Sequence, residues 1–256
     1  MKIALIDNGS LAPASQSNLR AVAAGIAART GETVEAVSWK HSDRIPAAEL
    51  GGTPAWTLAP WMRAQLGRGE RDFIFIPFFV SERGAIGSML EADLNRLAGA
   101  GGGFSFRFTE GLDRDDALTA IVAARVGETI AAQALSRPAV IVVDHGGPSR
   151  ASSELRDRVA ANLRAAPASM ESQPLLADRL RAPGWDKGDV VIAPLFLSPG
   201  RHAGADGDLA RIARAAEADR PGLRCHFTGL VGTHPMANDA LAGALRASLE
   251  PSLLFS

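Results

Sequence analysis

The sequence contains very little cysteine and no marked excess of charge of either sign. Cys225 is the single cysteine among 256 residues, so it can form neither an intramolecular disulfide nor a thiolate metal cluster. The 27 basic and 28 acidic residues give a net charge of -1, which argues against a polyanion such as nucleic acid as a partner. We therefore expect a cytoplasmic protein of a reducing compartment that binds no nucleic acid.

Long apolar segments and the common nucleotide and hydrolase motifs are also missing. The opening segment MKIALIDNGS turns polar too early for a signal peptide, and no later run approaches the roughly 18 apolar residues of a membrane span. No strand is followed by GxGxxG, and neither GxxxxGK(S/T) nor GxSxG occurs. Membrane association, nucleotide binding and serine hydrolysis therefore lack their usual signals.

The two halves of the sequence repeat three features in the same order. The first pair is KIALIDNGSLAP and AVIVVDHGGPSR, each an apolar run that ends in Asp-X-Gly. The second pair is DFIFIPFFVSERGA and DVVIAPLFLSPGRHA, and the third is FRFTEGLDRDDALTAIV and CHFTGLVGTHPMANDALAGAL. Three matches in the same order indicate an internal duplication.

Each half alternates apolar strands with amphipathic helices. The runs IALI, FIFIPFFV, VIVV and VVIAPLFL lack period-two alternation, which is typical of parallel strands that helices cover on both faces. Apolar residues recur at helical spacing in both halves: Leu19, Val22, Ile26, Leu155, Val159 and Leu163. The pattern predicts an α/β protein of two similar lobes, each a four-stranded parallel sheet flanked by helices.

A helix followed by a proline marks the predicted boundary between the lobes. The segment from Asp115 to Ser136 is predicted to form a helix that closes the first half, and Arg137-Pro138 ends it before the next strand. The predicted lobes are therefore residues 1–136 and 137–256.

Two histidines follow apolar strands in the second half. His145 comes after AVIVVD and His202 after APLFLSPGR, so both should lie at the carboxyl edge of one parallel sheet, where ligands bind. Neutral imidazole binds Co²⁺, Ni²⁺ or Fe²⁺ and titrates near neutrality, so two convergent histidines can hold a divalent ion and accept protons. A histidine in such a turn can also serve only as a hydrogen-bonding residue, and each histidine by itself leaves that alternative open.

Three segments resemble the class II tetrapyrrole chelatases, the family of the CbiX-like and CbiK-like sirohydrochlorin cobaltochelatases and ferrochelatases. VVDHGGPS resembles the family's strand-His-Gly-Ser turn, PLFLSPGRHAGAD its PxFLxxGxHxxxD block, and GLVGTHP its L-G-x-H-P element. The resemblance covers nearly the whole chain. It implies insertion of a divalent metal into sirohydrochlorin or a related tetrapyrrole, with the metal as a substrate and without an organic cofactor.

The resemblance also implies roles for individual residues. His145 and His202 would be metal ligands and proton acceptors, and Asp206, which matches an acid of the same block, would be a further metal ligand. Glu171, in ASMESQP, matches an acidic residue after the family's second strand and would assist catalysis.

Substrate contacts are expected from two kinds of residue around the histidines. The turn glycines Gly146 and Gly147 can present backbone N–H groups to a substrate carboxylate, although Gly147 stands where the family usually has serine. Arg150 and Arg201 lie on the same loops and can bind the carboxylates of the tetrapyrrole, with simple surface solvation as the alternative.

The first half departs from the motif at both ligand positions. Asn8 stands where His145 stands, and Ala85 falls where His202 falls. We therefore predict a degenerate first lobe and a metal site in the second lobe.

Several alternatives remain open from the sequence. Co²⁺ is the favoured metal and Fe²⁺ and Ni²⁺ are the alternatives, since imidazole and carboxylate accept all three. The other function considered is a non-catalytic tetrapyrrole or metal carrier derived from a chelatase. Either would act as a monomer or a homodimer.

Overall fold

The computed structural model describes residues 1–80, 85–99, 103–114, 116–147, 150–185 and 187–250. These residues form α-helices and β-strands that alternate along the chain. Those before Pro138 are β1 (Lys2–Asp7), α1 (Pro13–Thr30), β2 (Val34–Ser38), β3 (Trp56–Thr57), α2 (Leu58–Gly67), β4 (Asp72–Pro77), α3 (Ala85–Leu97), β5 (Ser105–Phe108) and α4 (Ala117–Ala132). Those after it are β6 (Ala139–Asp144), α5 (Arg150–Asn162), β7 (Ala166–Ser169), α6 (Leu176–Arg181), β8 (Gly188–Pro194), α7 (Asp208–Asp219), β9 (Leu223–Phe227) and α8 (Pro235–Leu249).

The strands form two parallel sheets with matching topology. The first has the order β3-β2-β1-β4-β5, and the second has the order β7-β6-β8-β9. The strands that open the two halves, β1 and β6, occupy equivalent positions, with the next strand on one side and the third on the other. This confirms the predicted α/β fold of two similar sheets.

The prediction of four strands is correct for the second sheet but one strand short for the first, as far as the structure describes them. The additional edge strand pairs Trp56 with Val37 and Thr57 with Ser38. At the corresponding edge of the second sheet only an isolated parallel bridge joins Ser169 to Leu175. The extra strand comes from a longer connection in the first half, which the comparison of the three repeated segments did not cover.

The chain divides into two compact units that differ from the two halves of the sequence. One unit combines Met1–Arg114 with Pro235–Ser256, and the other is Asp115–His234. The closing helix of each half causes the difference, because α8 packs against α1 whereas α4 packs against β8 and α5. The compact units therefore do not follow the predicted lobes 1–136 and 137–256.

The central strands of both sheets are buried on their two faces, as the continuous apolar runs predict. Ile3–Ile6 of β1, Ile141–Val143 of β6 and Val190–Ala193 of β8 are at most 3% exposed. In the first unit aromatic rings fill much of the core, and the rings of Trp61 and Phe73 meet edge to face with their centroids 5.7 Å apart. The burial of these strands leaves their carboxyl ends as the places where polar side chains emerge.

Within the described ranges no helix has the length and apolar character needed to cross a membrane.

Candidate metal centre

The candidate site lies at the carboxyl edge of the second sheet, where backbone hydrogen bonds continue past the ends of β6 and β7. The Met170 N–H donates to the Asp144 carbonyl oxygen and the Glu171 N–H donates to the His145 carbonyl oxygen, both at 3.1 Å. These bonds place His145 and Glu171 on adjacent segments at one edge of the sheet. His145 therefore lies where the sequence predicts it, at the carboxyl edge of a parallel sheet.

A glycine turn after His145 permits this close approach. Gly146 has a φ of +85°, and a Cβ at this position would lie 2.7 Å from the Ser172 Oγ and 2.9 Å from the Ser172 nitrogen. Glycine is therefore favoured at position 146 for two reasons: the backbone is left-handed, and a Cβ would clash with Ser172. Gly147 also has a positive φ, of +128°, but the space around its Cβ position is open. The serine expected from the family at this position would be strained by the backbone, which explains why glycine suits this turn.

The two predicted histidines come together. The ring centroids of His145 and His202 are 4.7 Å apart and the rings are inclined by 78°. The His145 Nε2 lies 3.6 Å from the Glu171 Oε1. His202 lies in the loop that follows β8. The two imidazoles and the carboxylate therefore come from the segments that follow the three neighbouring strands β7, β6 and β8.

The hydrogen bonds of both imidazoles use the same ring nitrogen. The His145 Nδ1 lies 3.3 Å from the Gly146 carbonyl oxygen, which can only accept, and the His202 Nδ1 lies 2.6 Å from the Asp208 Oδ2. Because both partners are acceptors, these contacts favour the neutral form that carries its proton on Nδ1 and has a free lone pair on Nε2. Two imidazole nitrogens are thereby prepared to bind a cation.

Asp208 is a site residue that the sequence analysis missed. The motif assigns the acid to Asp206, whose side chain is 94% exposed and whose Oδ1 lies 3.5 Å from Arg214. The structure therefore does not bring Asp206 to the histidines, and Asp208 contacts His202 in its stead. A carboxylate at the first position of the following helix was the available signal, but it stands two residues beyond the motif spacing.

An open cleft of about 640 Å³ adjoins His202. Its lining includes Glu171, Asp208 and three arginines, Arg181, Arg201 and Arg211. The expected contribution of Arg201 to a binding surface agrees with this position. Arg150, in contrast, is not among the lining residues, and its 91% exposed side chain donates to Glu154 at 2.7 Å, an ordinary pair within α5.

The surroundings of His202 favour the neutral form of its ring. Burial lowers the pKa of His202 below its usual value of 6.5, and the neighbouring His145 and Arg201 lower it further, while Glu171 acts in the opposite direction. Because only the neutral ring binds a metal, the lowered pKa of His202 extends its range as a ligand to more acidic solutions.

We therefore expect metal binding to weaken as the pH falls and His202 becomes protonated, with a midpoint for this residue below 6.5. Excess metal should partly restore binding at low pH, since the metal and the proton compete for the same nitrogen. Arg201→Gln should move the pKa of His202 upward because it removes a positive charge. NMR titration of the His202 ring together with Co²⁺ titrations at several pH values would check this, and an NMR midpoint of His202 at or above 6.5 would contradict it.

The first unit repeats the backbone of the site with different side chains. The Lys40 N–H donates to the Asn8 carbonyl oxygen at 3.2 Å, which reproduces the bond between Glu171 and His145. Asn8 and Lys40 thus stand at the positions of a histidine and a carboxylate. Ala85 begins α3, but its side chain lies outside the described residues. These replacements support the prediction that the first copy has lost its cation-binding groups.

Across the described ranges, no group of three or more histidine, cysteine, aspartate or glutamate side chains is close enough to enclose a metal ion. The arrangement that the structure does contain is the pair of imidazoles with Glu171 beside one ring and Asp208 beside the other.

The comparison with protein families finds one match, which lies in the second half of the chain. Residues 139–248 match the family model described as CbiX, which confirms the resemblance to class II chelatases. The matched segment contains His145, Glu171 and His202. No curated protein sequence matches the chain.

Solved structures of two kinds share the fold over almost the whole chain. SirB from Bacillus subtilis with Fe³⁺ is 14% identical, with a TM-score of 0.71 over 97% of this chain and 96% of that one. SirB from Bacillus subtilis subspecies spizizenii in complex with cobalt is also 14% identical, with a TM-score of 0.65 over 97% and 95%. CbiX, described as the terminal enzyme for siroheme biosynthesis in denitrifying bacteria, is 23% identical, with a TM-score of 0.67 over 98% and 100%. These likenesses show a common fold.

Proposed function

We propose that the chain is a chelatase that inserts a divalent metal ion into sirohydrochlorin or a related tetrapyrrole. The observation that carries this proposal is the pair of histidines, His145 and His202, beside Glu171 at one sheet edge of the segment that matches the CbiX family model. The structurally similar proteins support it by their descriptions as sirohydrochlorin chelatases and as a siroheme-forming enzyme.

The chemistry requires a place for the metal and a route for two protons. The Nε2 atoms of His145 and His202 hold the incoming ion, because both Nδ1 atoms face hydrogen-bond acceptors. When the ion enters the tetrapyrrole, two N–H groups of the macrocycle lose their protons and their nitrogens bind the metal. Glu171, 3.6 Å from the His145 Nε2, and the released imidazoles are the bases that accept these protons.

The metal is a substrate, and the same donor set suits three candidates. Imidazole and carboxylate bind Co²⁺, Fe²⁺ and Ni²⁺, and we favour Co²⁺ because a related fold is described in complex with cobalt. A second related structure is described with Fe³⁺, which keeps iron as the alternative. No organic cofactor is included in the proposed reaction.

The arginines of the cleft suit the acidic side chains of the tetrapyrrole. Sirohydrochlorin carries eight carboxylates by its chemistry, and Arg181, Arg201 and Arg211 line the cleft beside His202. Guanidinium groups bind carboxylates through paired hydrogen bonds, so these residues would orient the macrocycle with its centre near the histidines.

We expect Arg181→Gln to raise the KM for the tetrapyrrole about three- to tenfold while leaving metal affinity unchanged, because it removes one charge-assisted hydrogen bond at a partly exposed site. Arg224→Gln is the matched control, since Arg224 hydrogen bonds to the carbonyl oxygens of Pro221 and Leu223 outside the cleft. Steady-state kinetics at saturating metal would measure the effect. An unchanged KM in Arg181→Gln combined with a raised KM in Arg150→Gln would place the substrate on the loop predicted from the sequence instead.

Multiple turnover in a visible absorbance assay tests the proposed function directly. A chelatase would convert many equivalents of sirohydrochlorin when supplied with excess Co²⁺ or Fe²⁺. Stoichiometric binding without acceleration of metal insertion would overturn the proposal and support the carrier function. The cytoplasmic location and the monomeric or homodimeric state stay predictions of the sequence.

A further inference from the structure

We propose that Asp208 is the positioning residue of the metal centre: it holds the proton of His202 on Nδ1 and thereby makes Nε2 the nitrogen that binds the metal. This inference rests on the proposed role of His202 as a metal ligand. It assigns the acid of the site to Asp208 instead of to Asp206, which the motif indicates.

The geometry around Asp208 carries this assignment. Its Oδ2 lies 2.6 Å from the His202 Nδ1, and its Oδ1 accepts a hydrogen bond from Arg211, three residues further along α7. The side chains of His202 and Asp208 are only 22% and 23% exposed. Each carboxylate oxygen therefore has its own donor. Arg211 fixes the carboxylate, and the carboxylate in turn orients the imidazole of His202.

A compact turn returns Asp208 to His202 across the intervening residues. The Asp208 and Leu209 N–H groups donate to the carbonyl oxygens of Arg201 and His202, at 3.3 and 3.2 Å. At Gly207 a Cβ would lie 2.6 Å from the His202 carbonyl oxygen, so a side chain at this position would push the turn open. The backbone hydrogen bonds of the turn and the absence of a side chain at Gly207 therefore place the Asp208 carboxylate beside the His202 ring.

The consequence for metal binding follows from the two forms of neutral imidazole. A ring without a partner exchanges its proton between Nδ1 and Nε2 and rotates about its side-chain bonds, so only part of its population presents a lone pair in the required direction. Carboxylates that bind the remote nitrogen of a ligating histidine typically change metal affinity about 10- to 100-fold. Asp208 therefore acts on metal affinity through His202 and need not touch the metal.

The first measurement is independent of any metal. Two-bond ¹H–¹⁵N correlation spectra of the ¹⁵N-histidine-labelled full chain distinguish the Nδ1–H from the Nε2–H form of each ring. We expect His202 of the unchanged protein, above its pKa, to be in the Nδ1–H form, and Asp208→Ala to shift it toward a mixture with the Nε2–H form. Asp208→Asn should restore the Nδ1–H form, because the amide oxygen can accept the same hydrogen bond.

The second measurement is Co²⁺ affinity, followed by the visible absorption of bound Co²⁺. We expect Asp208→Ala to weaken binding about 10- to 100-fold and Asp208→Asn to recover most of the loss. Asp206→Ala is the comparison variant and should bind within about twofold of the unchanged protein. Circular dichroism melting curves identify any variant that fails to fold.

The outcomes separate this inference from the proposed function. If the unchanged protein binds no Co²⁺ at its histidines, the proposed function fails, whereas the tautomer spectra still report whether Asp208 holds the ring. If His202 keeps the Nδ1–H form in folded Asp208→Ala, or if Asp206→Ala is the variant that loses affinity, the inference about Asp208 is wrong.

Discussion

Replacing either His145 or His202 with alanine is expected to reduce metal insertion at least about 100-fold, with little change in the melting temperature. The two rings are in contact, with centroids 4.7 Å apart, and each removes one of the two Nε2 donors when it is deleted. Their side chains are 44% and 22% exposed, so neither residue fills the core of the sheet. Catalytic activity should therefore respond far more strongly than stability.

Asn8→Ala is the matched control, since Asn8 occupies the position of His145 in the first unit and should matter far less for insertion. The measurements are the initial rate of metal insertion and the thermal melting curve in the absence of metal. Full turnover in His145→Ala or His202→Ala would remove the histidines from the reaction. A large fall in melting temperature without metal would assign them a role in folding instead.

Removing the charge of Arg156 is expected to destabilise the protein by about 3 kcal/mol or more, because it leaves a buried carboxylate without its cation. Arg156 is 2% exposed and Asp144, at the end of β6, is 8% exposed. The Arg156 guanidinium lies 3.3 Å from the Asp144 Oδ1, and the Ser169 hydroxyl also donates to this carboxylate. Urea unfolding of Arg156→Leu at neutral pH would measure the loss.

The equivalent carboxylate of the first unit is Asp7, and removing its charge is expected to stabilise the protein. Asp7 ends β1 and accepts hydrogen bonds from the neutral donors Ser38 and Gly9, and burial raises the pKa of Asp7 from 3.8 to about 6. Between these two values the unfolded chain loses the proton and the folded chain keeps it, so the stability contributed by Asp7 falls as the pH rises through this window and stays low above it.

Asp7→Asn is therefore expected to stabilise the protein near neutral pH, by up to about 3 kcal/mol, and to leave stability nearly unchanged at pH values below the window. The amide can keep the bond from the Gly9 N–H and can donate to Ser38. Urea unfolding at about pH 3 and pH 7.5 separates the two conditions. Equal destabilisation at both pH values would show that the carboxylate of Asp7 makes a specific contact that an amide cannot replace.

The fold follows closely from local pattern, because the burial of a parallel strand on both faces leaves a direct trace in its residues. The runs around Ile3, Ile141 and Val190 were predicted as covered strands, and all of them are buried. The repeated order of motifs likewise predicted the equivalent positions of β1 and β6. The closing helices α4 and α8, however, each pack in the compact unit formed by the other half of the sequence. Amphipathic periodicity predicts that a helix has an apolar face, but it does not specify the partner of that face.

The sequence by itself determined the parallel α/β architecture and the meeting of His145 with His202, because residues that follow neighbouring parallel strands emerge at one edge. Tertiary structure decided which carboxylate serves His202. Spacing along the motif indicated Asp206, but the turn before α7 directs that side chain to solvent and Arg214, whereas Asp208 returns to the ring. Loop geometry depends on the hydrogen bonds that close the turn and on the room beside Gly207, and these are settled only when the chain is folded.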